Sequence, residues 1–395
     1  MESEIVIMNC SKHKKPRLLF INYSLGIGGI ETLLLELCRY LVRDESIEPA
    51  ICIFEGQGHI EEEFKSLGVP VYELPKRDGW DLSLAWRVRK LIREHRFDLV
   101  HAHNQAAWLY GGLGAWMSGC KLIYSEHSPL SKFSVSSQKR LRPVFRQLAR
   151  KTILVTTVAN HLVEDLVIHA GVPREKIRVI YNGIEMSLFR VKLDREQMLE
   201  ELGLPAGSQI IGILASLTEA KDHATLLLAF RQVVREIPQA VLLVCGSGPL
   251  ESALRQQVVS LGLENNVRFL GVRRDVAMLL QLFDVFSLSS VREGLPISIL
   301  EAMAAGCPVV ATNIPGNAEL VEHGRYGLLV APRDPEQLAA ALIRLLSDPG
   351  LARTLGERGR QRVAREFRFT TMIQHYVSLY NQVLDSPPGE MAKNA

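Results

Sequence analysis

Two glutamates with seven residues between them, Glu293 and Glu301, stand in the stretch 289–315. Glu293 lies beside Gly294, just before Pro296, and the apolar run from Ile297 reads as a helix that stops at Gly306, with Pro308 beyond. Proline suits the first turn of a helix because its missing N–H would have no partner there. Glycine suits the far end, where the chain turns left-handed. This spacing puts Glu293 at the helix mouth and Glu301 a turn or more inside it. The free N–H groups and positive dipole end at 295–298 form an anion site. An anion site bracketed by carboxylates fits a ligand with phosphates at its centre and hydroxyls at both ends, as in a nucleotide-sugar. Taken alone, the pattern also describes a solvent-facing helix glutamate and an ordinary loop glutamate.

The elements that must hold such residues alternate along the chain. Residues 17–23 read as a buried strand, followed by Gly26-Ile-Gly28-Gly29 and a helix over 30–43 with Leu33, Leu34, Leu37 and Leu41 on one face. Strand, glycine turn and helix together bring backbone N–H groups close to an anion. The dinucleotide fingerprint is incomplete, since Glu31 stands where its third glycine belongs. Further strands are expected at 50–54, 69–73, 99–102, 122–125, 153–158 and 177–180, with helices at 59–67, 82–95, 105–117 and 160–169. A polar connection without strand character follows at 184–208. A second series then has strands at 210–215, 240–245, 267–270, 285–289, 308–311 and 327–330. Its helices are expected at 224–236, 250–261, 274–282, 297–305 and 335–346, and 351–380 reads as mostly helical. Such alternation makes parallel sheets covered on both faces, with ligands at the carboxyl ends of the strands. His103, His127 and Asn182 are expected just past strand ends, and Lys221 in the loop after 210–215. Gly246-Ser-Gly248-Pro249 makes a second glycine turn.

At 395 residues and 47% apolar content the chain can build two or three domains with buried cores. A net charge of +3 is too small to argue for nucleic acid. The basic residues are uneven, with seven Lys/Arg and no Asp or Glu over 132–151. Such a run is either a solvated helix face or a patch drawn to an anionic membrane surface or acidic acceptor. The six cysteines form no C-x-x-C pair and read as reduced core residues of a cytoplasmic protein. No secretory signal is visible. The longest uncharged stretch, 104–120, is shorter than the roughly 20 residues of a spanning helix, so membrane association is expected to be peripheral.

The motifs also resemble, in order, those of the retaining GT4 glycosyltransferases, which have the two-domain GT-B fold. Gly28-Gly29-Ile30-Glu31 is similar to the family's GGxE loop, and residues 179–185 (VIYNGIE) to its NG motif. Residues 245–250 resemble its GxGP loop, 267–275 (VRFLGVRRD) its segment against the base, 290–305 its EGLP…EAMA motif and 316–330 the segment that follows. The resemblance implies an α/β architecture of two facing Rossmann-like, doubly wound domains with a cleft between them. Residues 1–190 would form the acceptor-side domain, 191–208 a linker and 209–365 the nucleotide-sugar-binding domain. A helix at about 366–386 would pack back on the first domain, and 387–395 would be a disordered tail.

The resemblance further implies a role for each matching residue. Glu301 would accept from ribose hydroxyls, and Glu293 would contact the donor sugar. Lys221 would neutralise the pyrophosphate with backbone N–H groups at Gly28, Gly29, Gly294 and Leu295. Gly246, Gly248, Pro249 and Asn182 would line the site. His127 would lie near the donor sugar, with His103 as second candidate; a structural histidine is the plain alternative for both. Ser216 is a departure, standing where the family carries an arginine five residues before the lysine. Arg292, Arg273 or Arg274 are the candidate replacements, Arg292 foremost because it adjoins Glu293. The expected reaction moves a sugar from a nucleotide diphosphate sugar, UDP favoured over GDP or ADP, to a hydroxyl of a glycan or lipid-linked acceptor. No metal or other cofactor is expected, since no Asp-x-Asp ends a strand and no His/Cys cluster appears. The rival readings are a GT-B epimerase or phosphorylase, an NAD oxidoreductase, and a non-catalytic nucleotide-sugar-binding module.

Overall fold

The computed structural model describes residues 15–26, 29–56, 60–130, 135–190 (backbone only for 135–140) and 193–386. The expectations for Gly28, Lys132, Cys10 and the tail from 387 lie outside the described residues. The alternation first delivers a parallel sheet of seven strands. In chain order its elements are β1 (Arg17–Asn22), α1 (Gly29–Asp44), β2 (Glu48–Ile53), α2 (Glu61–Ser66), β3 (Val71–Glu73), α3 (Leu82–His95) and β4 (Leu99–His103). A π-helical turn, Ala107–Gly111, leads into α4 (Gly112–Ser118), followed by β5 (Lys121–Glu126), α5 (Val135–Lys151), β6 (Leu154–Thr157), α6 (His161–Asp165) and β7 (Ile177–Val179). The strand order is β3-β2-β1-β4-β5-β6-β7.

The second sheet has six strands. Helix α7 (Arg195–Glu201) precedes β8 (Gln209–Leu214), α8 (His223–Glu236), β9 (Ala240–Cys245), α9 (Glu251–Leu261), β10 (Val267–Gly271), α10 (Val276–Leu282) and β11 (Val285–Leu288). Then come α11 (Ile297–Ala305), β12 (Val309–Thr312), α12 (Pro315–Val321), β13 (Leu328–Val330), α13 (Pro335–Ser347), α14 (Pro349–Glu366) and α15 (Phe369–Asp385). The order β10-β9-β8-β11-β12-β13 reverses direction between β8 and β11. That reversal is the switch point of a doubly wound sheet, where the chain opens a crevice at the strand carboxyl ends. Both sheets are of α/β, Rossmann-like type.

The strands read as unbroken apolar runs because helices cover both faces. Leu18, Leu19, Phe20 and Ile21 of β1 are fully buried, as are Val309, Val310 and Ala311 of β12. The five described cysteines are free, and four of them lie buried in the core.

Cα proximity divides the chain into two compact units. One comprises Met1–Ser125, Gln147–Leu154 and Tyr380–Ala395; the other comprises Glu126–Arg146 and Val155–Leu379. This division does not fall at the expected boundary of 190. Within the second unit, the turn after β7 pairs with the turn between α14 and α15: Ile184 donates to Phe367 O at 2.8 Å and Phe369 donates back to Ile184 O at 3.1 Å. In the first unit, the end of α15 is tied to β4 and β5. Tyr380 Oη lies 2.9 Å from His101 Nδ1. Lys121 Nζ donates to the carbonyls of Val383, Leu384 and Ser386 at 2.9, 2.8 and 2.9 Å.

Several local expectations need correction. Residues 184–208 are not merely a connection: Asp194 caps α7 by accepting from Gln197 N at 3.1 Å, and Met198 and Leu199 bury their side chains. Asp at the N-cap and an i, i+1 apolar pair in so short a helix gave no periodic signal. Helix α12 was not expected either, although Pro315 at its first turn marks it. His103 does not lie past a strand end. It is the last residue of β4, fully buried, with its ring centroid 4.1 Å from that of His101.

Candidate active site

The turn after β8 and the loop after β11 meet in the second unit. Backbone bonding joins them first, as Val291 N donates to Ala220 O at 2.9 Å. Ser289 Oγ adds a bond to Lys221 O at 2.9 Å. Lys221 Nζ and Glu293 Oε1 then lie 2.6 Å apart, with Ser290 Oγ donating to the same oxygen at 2.5 Å. Side-chain exposure is 23% for Lys221 and only 9% for Glu293. At that depth an unpaired charge is costly, so each member compensates the other and holds it in place. An ammonium has further N–H donors beyond the one on Glu293, so Lys221 can bind an anion without releasing its partner.

Helix α11 starts as its proline requires. Pro296 is the N-cap, extended at φ −71° and ψ 113°, and Gly306 ends the helix left-handed at φ 77°. Two glycines let neighbouring backbones reach this loop. A Cβ on Gly294 would stand 2.1 Å from His127 O, and one on Gly316 would stand 2.2 Å from Gly294 O. The chain therefore stacks the loop after β5, the Glu293 loop and the start of α12 with no room for side chains between them. That packing brings His127 beside the Glu293 motif. Its loop is held by Glu126, a buried carboxylate that accepts from the N–H groups of His127 and Ser128 at 3.0 Å each.

Glu301 lies a turn inside α11, and burial pushes its carboxyl up to about 7. No other group contributes to that shift. Among the described residues no cation or hydrogen-bond donor meets this carboxyl, which suits it to a ligand that brings hydroxyl donors.

The second glycine turn packs on the segment that carries Ser216. Gly246 has φ 137°, and a Cβ there would meet Ala215 O at 2.1 Å. Leu217 N donates to Ser247 O at 2.9 Å, and Gly248 also lies against Leu217. Ser216 itself is exposed, as is Pro249. Of the candidate cations, Arg273 is held by Asp275 in a forked pair at 2.8 and 2.5 Å. Arg292 and Arg274 are exposed and have no carboxylate partner among the described residues.

In the first unit, Gly29 is the exposed first residue of α1. Beside it lies a polar cluster that sequence reasoning missed. Asn22 ends β1 and donates to Glu31 Oε1 at 3.2 Å and Ser24 O at 2.9 Å, while Asn104 donates to Asn22 Oδ1 at 2.7 Å. Asn104 adopts φ 70°. Burial raises the Glu31 carboxyl, against the Asn22 bond that lowers it. The legible signal was a polar residue closing an apolar strand, as at Asn22 and Glu126.

Glu319 on α12 was also missed. It accepts from Asn160 N at 2.7 Å, Asn160 Nδ2 at 3.0 Å and Tyr181 Oη at 2.8 Å, with His161 Nδ1 at 3.2 Å. Burial pushes its carboxyl up, but the bonds from His161, Asn160 and Tyr181 outweigh it and hold the group down at about 2. Asn182, buried, follows Tyr181 directly.

Comparison with known proteins places these features. The model of glycosyl transferases group 1 matches residues 194–362, and that of glycosyltransferase family 4 matches residues 27–188. The N-acetyl-alpha-D-glucosaminyl L-malate synthase of Bacillus anthracis is 30% identical over 327 residues, covering 81% of this chain and 84% of that protein. The chain belongs to the GT4 glycosyltransferases. This glycosyltransferase is also 24% identical to the Escherichia coli UDP-Gal:alpha-D-GlcNAc-diphosphoundecaprenol alpha-1,3-galactosyltransferase, over 94% of this chain and 98% of that protein. Among solved structures, Anabaena Alr3699/HepE in complex with UDP and glucose superposes with a TM-score of 0.83 at 27% identity, covering 93% of this chain and 100% of that one. Sucrose-phosphate synthase from Thermosynechococcus elongatus shares the fold, with a TM-score of 0.77 at 22% identity over 93% of this chain and 99% of that one. The glycosyltransferase therefore has the GT-B fold, with two Rossmann-like sheets.

Proposed function

We propose that this glycosyltransferase moves a sugar from a nucleotide diphosphate sugar, UDP-linked in the first instance, to a hydroxyl of a glycan or lipid-linked acceptor, with retention at the anomeric carbon. The observation that carries the reading is the Lys221–Glu293 pair at 2.6 Å, set at the mouth of α11 with Glu301 one turn inside. Similarity to a structure that holds UDP and glucose, and to an enzyme named for a UDP-galactose donor and a diphosphoundecaprenol acceptor, supports the donor and acceptor classes. In this reading Glu301 accepts from the ribose hydroxyls and Glu293 orients the donor sugar. Lys221 and the first N–H groups of α11 meet the charge that develops on the leaving diphosphate. Asn182, Gly246, Gly248, Pro249, Gly294 and Leu295 shape the binding surface, and His127 lies near the sugar. The acceptor proton passes to the departing phosphate on the same face, so no protein nucleophile is needed. The acceptor belongs to cell-envelope or exopolysaccharide synthesis at the inner face of the cytoplasmic membrane.

Ser216 leaves the diphosphate short of one cation, and Arg292 supplies it. Arg273 is committed to Asp275, whereas Arg292 sits on the loop that Val291 N ties to Ala220 O, one residue before Lys221. One charge-assisted contact to a phosphate contributes about 1.5–3 kcal/mol. Arg292→Ala should therefore lower kcat by about ten- to a hundredfold. A complex with nucleotide diphosphate that shows the guanidinium far from both phosphates sinks this assignment.

A thermal-shift series with UDP-, GDP- and ADP-sugars tests the donor, with the largest rise expected for a UDP-sugar. Lys221→Ala and Glu301→Ala should abolish transfer while circular dichroism shows the fold intact. Full activity in either variant overturns the reading.

A further inference from the structure

Three of the four tryptophans are exposed, and all three lie in the first unit. Trp108 is fully buried, whereas Trp80, Trp86 and Trp116 are 52, 59 and 52% exposed, and Leu82 is 64% exposed. Tryptophan normally buries most of its surface, so a cluster of exposed ones marks an interaction site. Leu82, Trp86, Arg89 and Arg93 recur at helical spacing along one face of α3. Helix α4 lies against α3, since a Cβ on Gly114 would stand 2.7 Å from Val88 and 3.0 Å from Ala85 O. Arg89 spans the two helices: its guanidinium sits 5.0 Å from the Trp86 ring and its Nε donates to Met117 O at 3.3 Å. Trp116 carries its own cation, with Lys151 Nζ 5.7 Å from its ring. Exposed rings and cations thus form one strip.

The charge on this strip is one-sided. Over 80–96 there are five Lys/Arg and two carboxylates, Asp81 and Glu94. Asp81 pairs with Arg87 at 2.8 Å and Glu94 with Lys90 at 3.6 Å. Arg89, Arg93 and Arg96 have no carboxylate partner among the described residues. We propose that this face of α3 and α4 docks the protein on an anionic lipid bilayer. Leu82, Trp86 and Trp116 enter the boundary between headgroups and acyl chains, while Arg89, Arg93 and Lys151 lie against headgroup phosphates. Indole rings favour that boundary, and cations beside them favour its negative potential. A second copy of this chain fits less well, because a two-fold contact would set the same arginines against each other. Among the described residues no helix is long and apolar enough to cross a membrane, so the contact is of the surface type. The surface differs from the basic run 132–151, from which it takes only Lys151, and it does not depend on the donor assignment.

Vesicle sedimentation tests the proposal. The full chain should bind phosphatidylglycerol-rich vesicles at low salt with a blue shift in tryptophan emission, and should bind pure phosphatidylcholine far less. The double variant Trp86→Ser, Trp116→Ser should bind the anionic vesicles about tenfold more weakly or worse, yet keep its melting temperature and its turnover on a detergent-dispersed acceptor. Arg89→Gln with Arg93→Gln should flatten the salt dependence. Leu82→Ser provides a second, smaller substitution on the same face. Glu301→Ala should lose transfer and still sediment like wild type, so failure of the donor reading is separable from failure of this one. Unchanged vesicle binding by the tryptophan variant overturns the proposal. So does a concentration-dependent dimer, seen by ultracentrifugation, that the same substitutions abolish while vesicle binding is absent.

Discussion

Glu301 carries a cost that a ligand can relieve. Its carboxyl ordinarily titrates at 4.5 and is pushed by burial up to about 7. The folded state then holds a proton that the unfolded chain releases, so stability falls as pH rises from 4.5 towards 7. The full loss is about 3 kcal/mol. Glu301→Gln should remove this slope and raise the melting temperature at pH 8 relative to wild type. Parallel pH–stability curves for the two proteins would show that the carboxyl is not strained. In the proposed donor mode, affinity should move the other way, strengthening as pH rises through about 7, because the ionised carboxylate is the better acceptor for hydroxyl donors. Lys221 and Glu293 behave differently, since each compensates the other. Lys221→Met leaves Glu293 buried without a counter-charge and should destabilise by about 3 kcal/mol. Lys221→Met with Glu293→Gln should recover part of that loss, and a double-mutant cycle in urea measures the coupling. These residues were legible in sequence because E-x7-E, Gly-Leu-Pro and the downstream glycine form a local pattern. Their pairing was not, because Lys221 and Glu293 come together only when β8 and β11 align.

Two polar anchors hold elements that periodicity describes but does not place. Lys121, at the start of β5, donates to three carbonyls at the end of α15. Those carbonyls have no partner within the helix, and a cation there also meets the negative dipole end. Lys121→Met should cost about 1–3 kcal/mol and speed hydrogen exchange in the last turns of α15, while the first turns keep their protection. Uniform loss of protection along the helix would argue against this anchor. Glu319 joins α12 to the start of α6 and to Tyr181 after β7. Its carboxyl, ordinarily at 4.5, is held at about 2, so the stabilisation is fully present above pH 4.5 and is lost as pH falls towards 2. Glu319→Gln should lower the midpoint of urea unfolding at pH 7 and shrink the difference between wild type and variant at pH 3. An equal gap at both pH values would rule out the carboxylate as the cause. Neither anchor was foreseen. A lysine opening a strand and a glutamate in a short, weakly periodic helix look like surface residues until their partners, far away in the chain, arrive beside them.

At the scale of the whole molecule, the proposed mechanism meets the charge on a leaving diphosphate with Lys221, Arg292 and the first turn of α11. Transfer should therefore persist in excess EDTA, and a strict requirement for added Mg²⁺ would contradict this reading. The order of the elements was legible throughout, since apolar runs of strand length alternate with amphipathic stretches and glycine turns. That alternation by itself determined a parallel α/β architecture with two sheets, and the motif order determined the family. What only the tertiary structure decided is which polar residues converge. His103 proved to be a core residue, because β4 runs one residue further than its apolar letters suggest and buries the imidazole. Gly294 and Gly316 proved to be close-packing positions, because His127 O and Gly294 O leave no space for a Cβ. Pattern along a chain reports what each segment can bury; it takes the fold to bring Lys221 within 2.6 Å of Glu293 at the mouth of α11, because that proximity depends on how separate strands line up and not on any one of them.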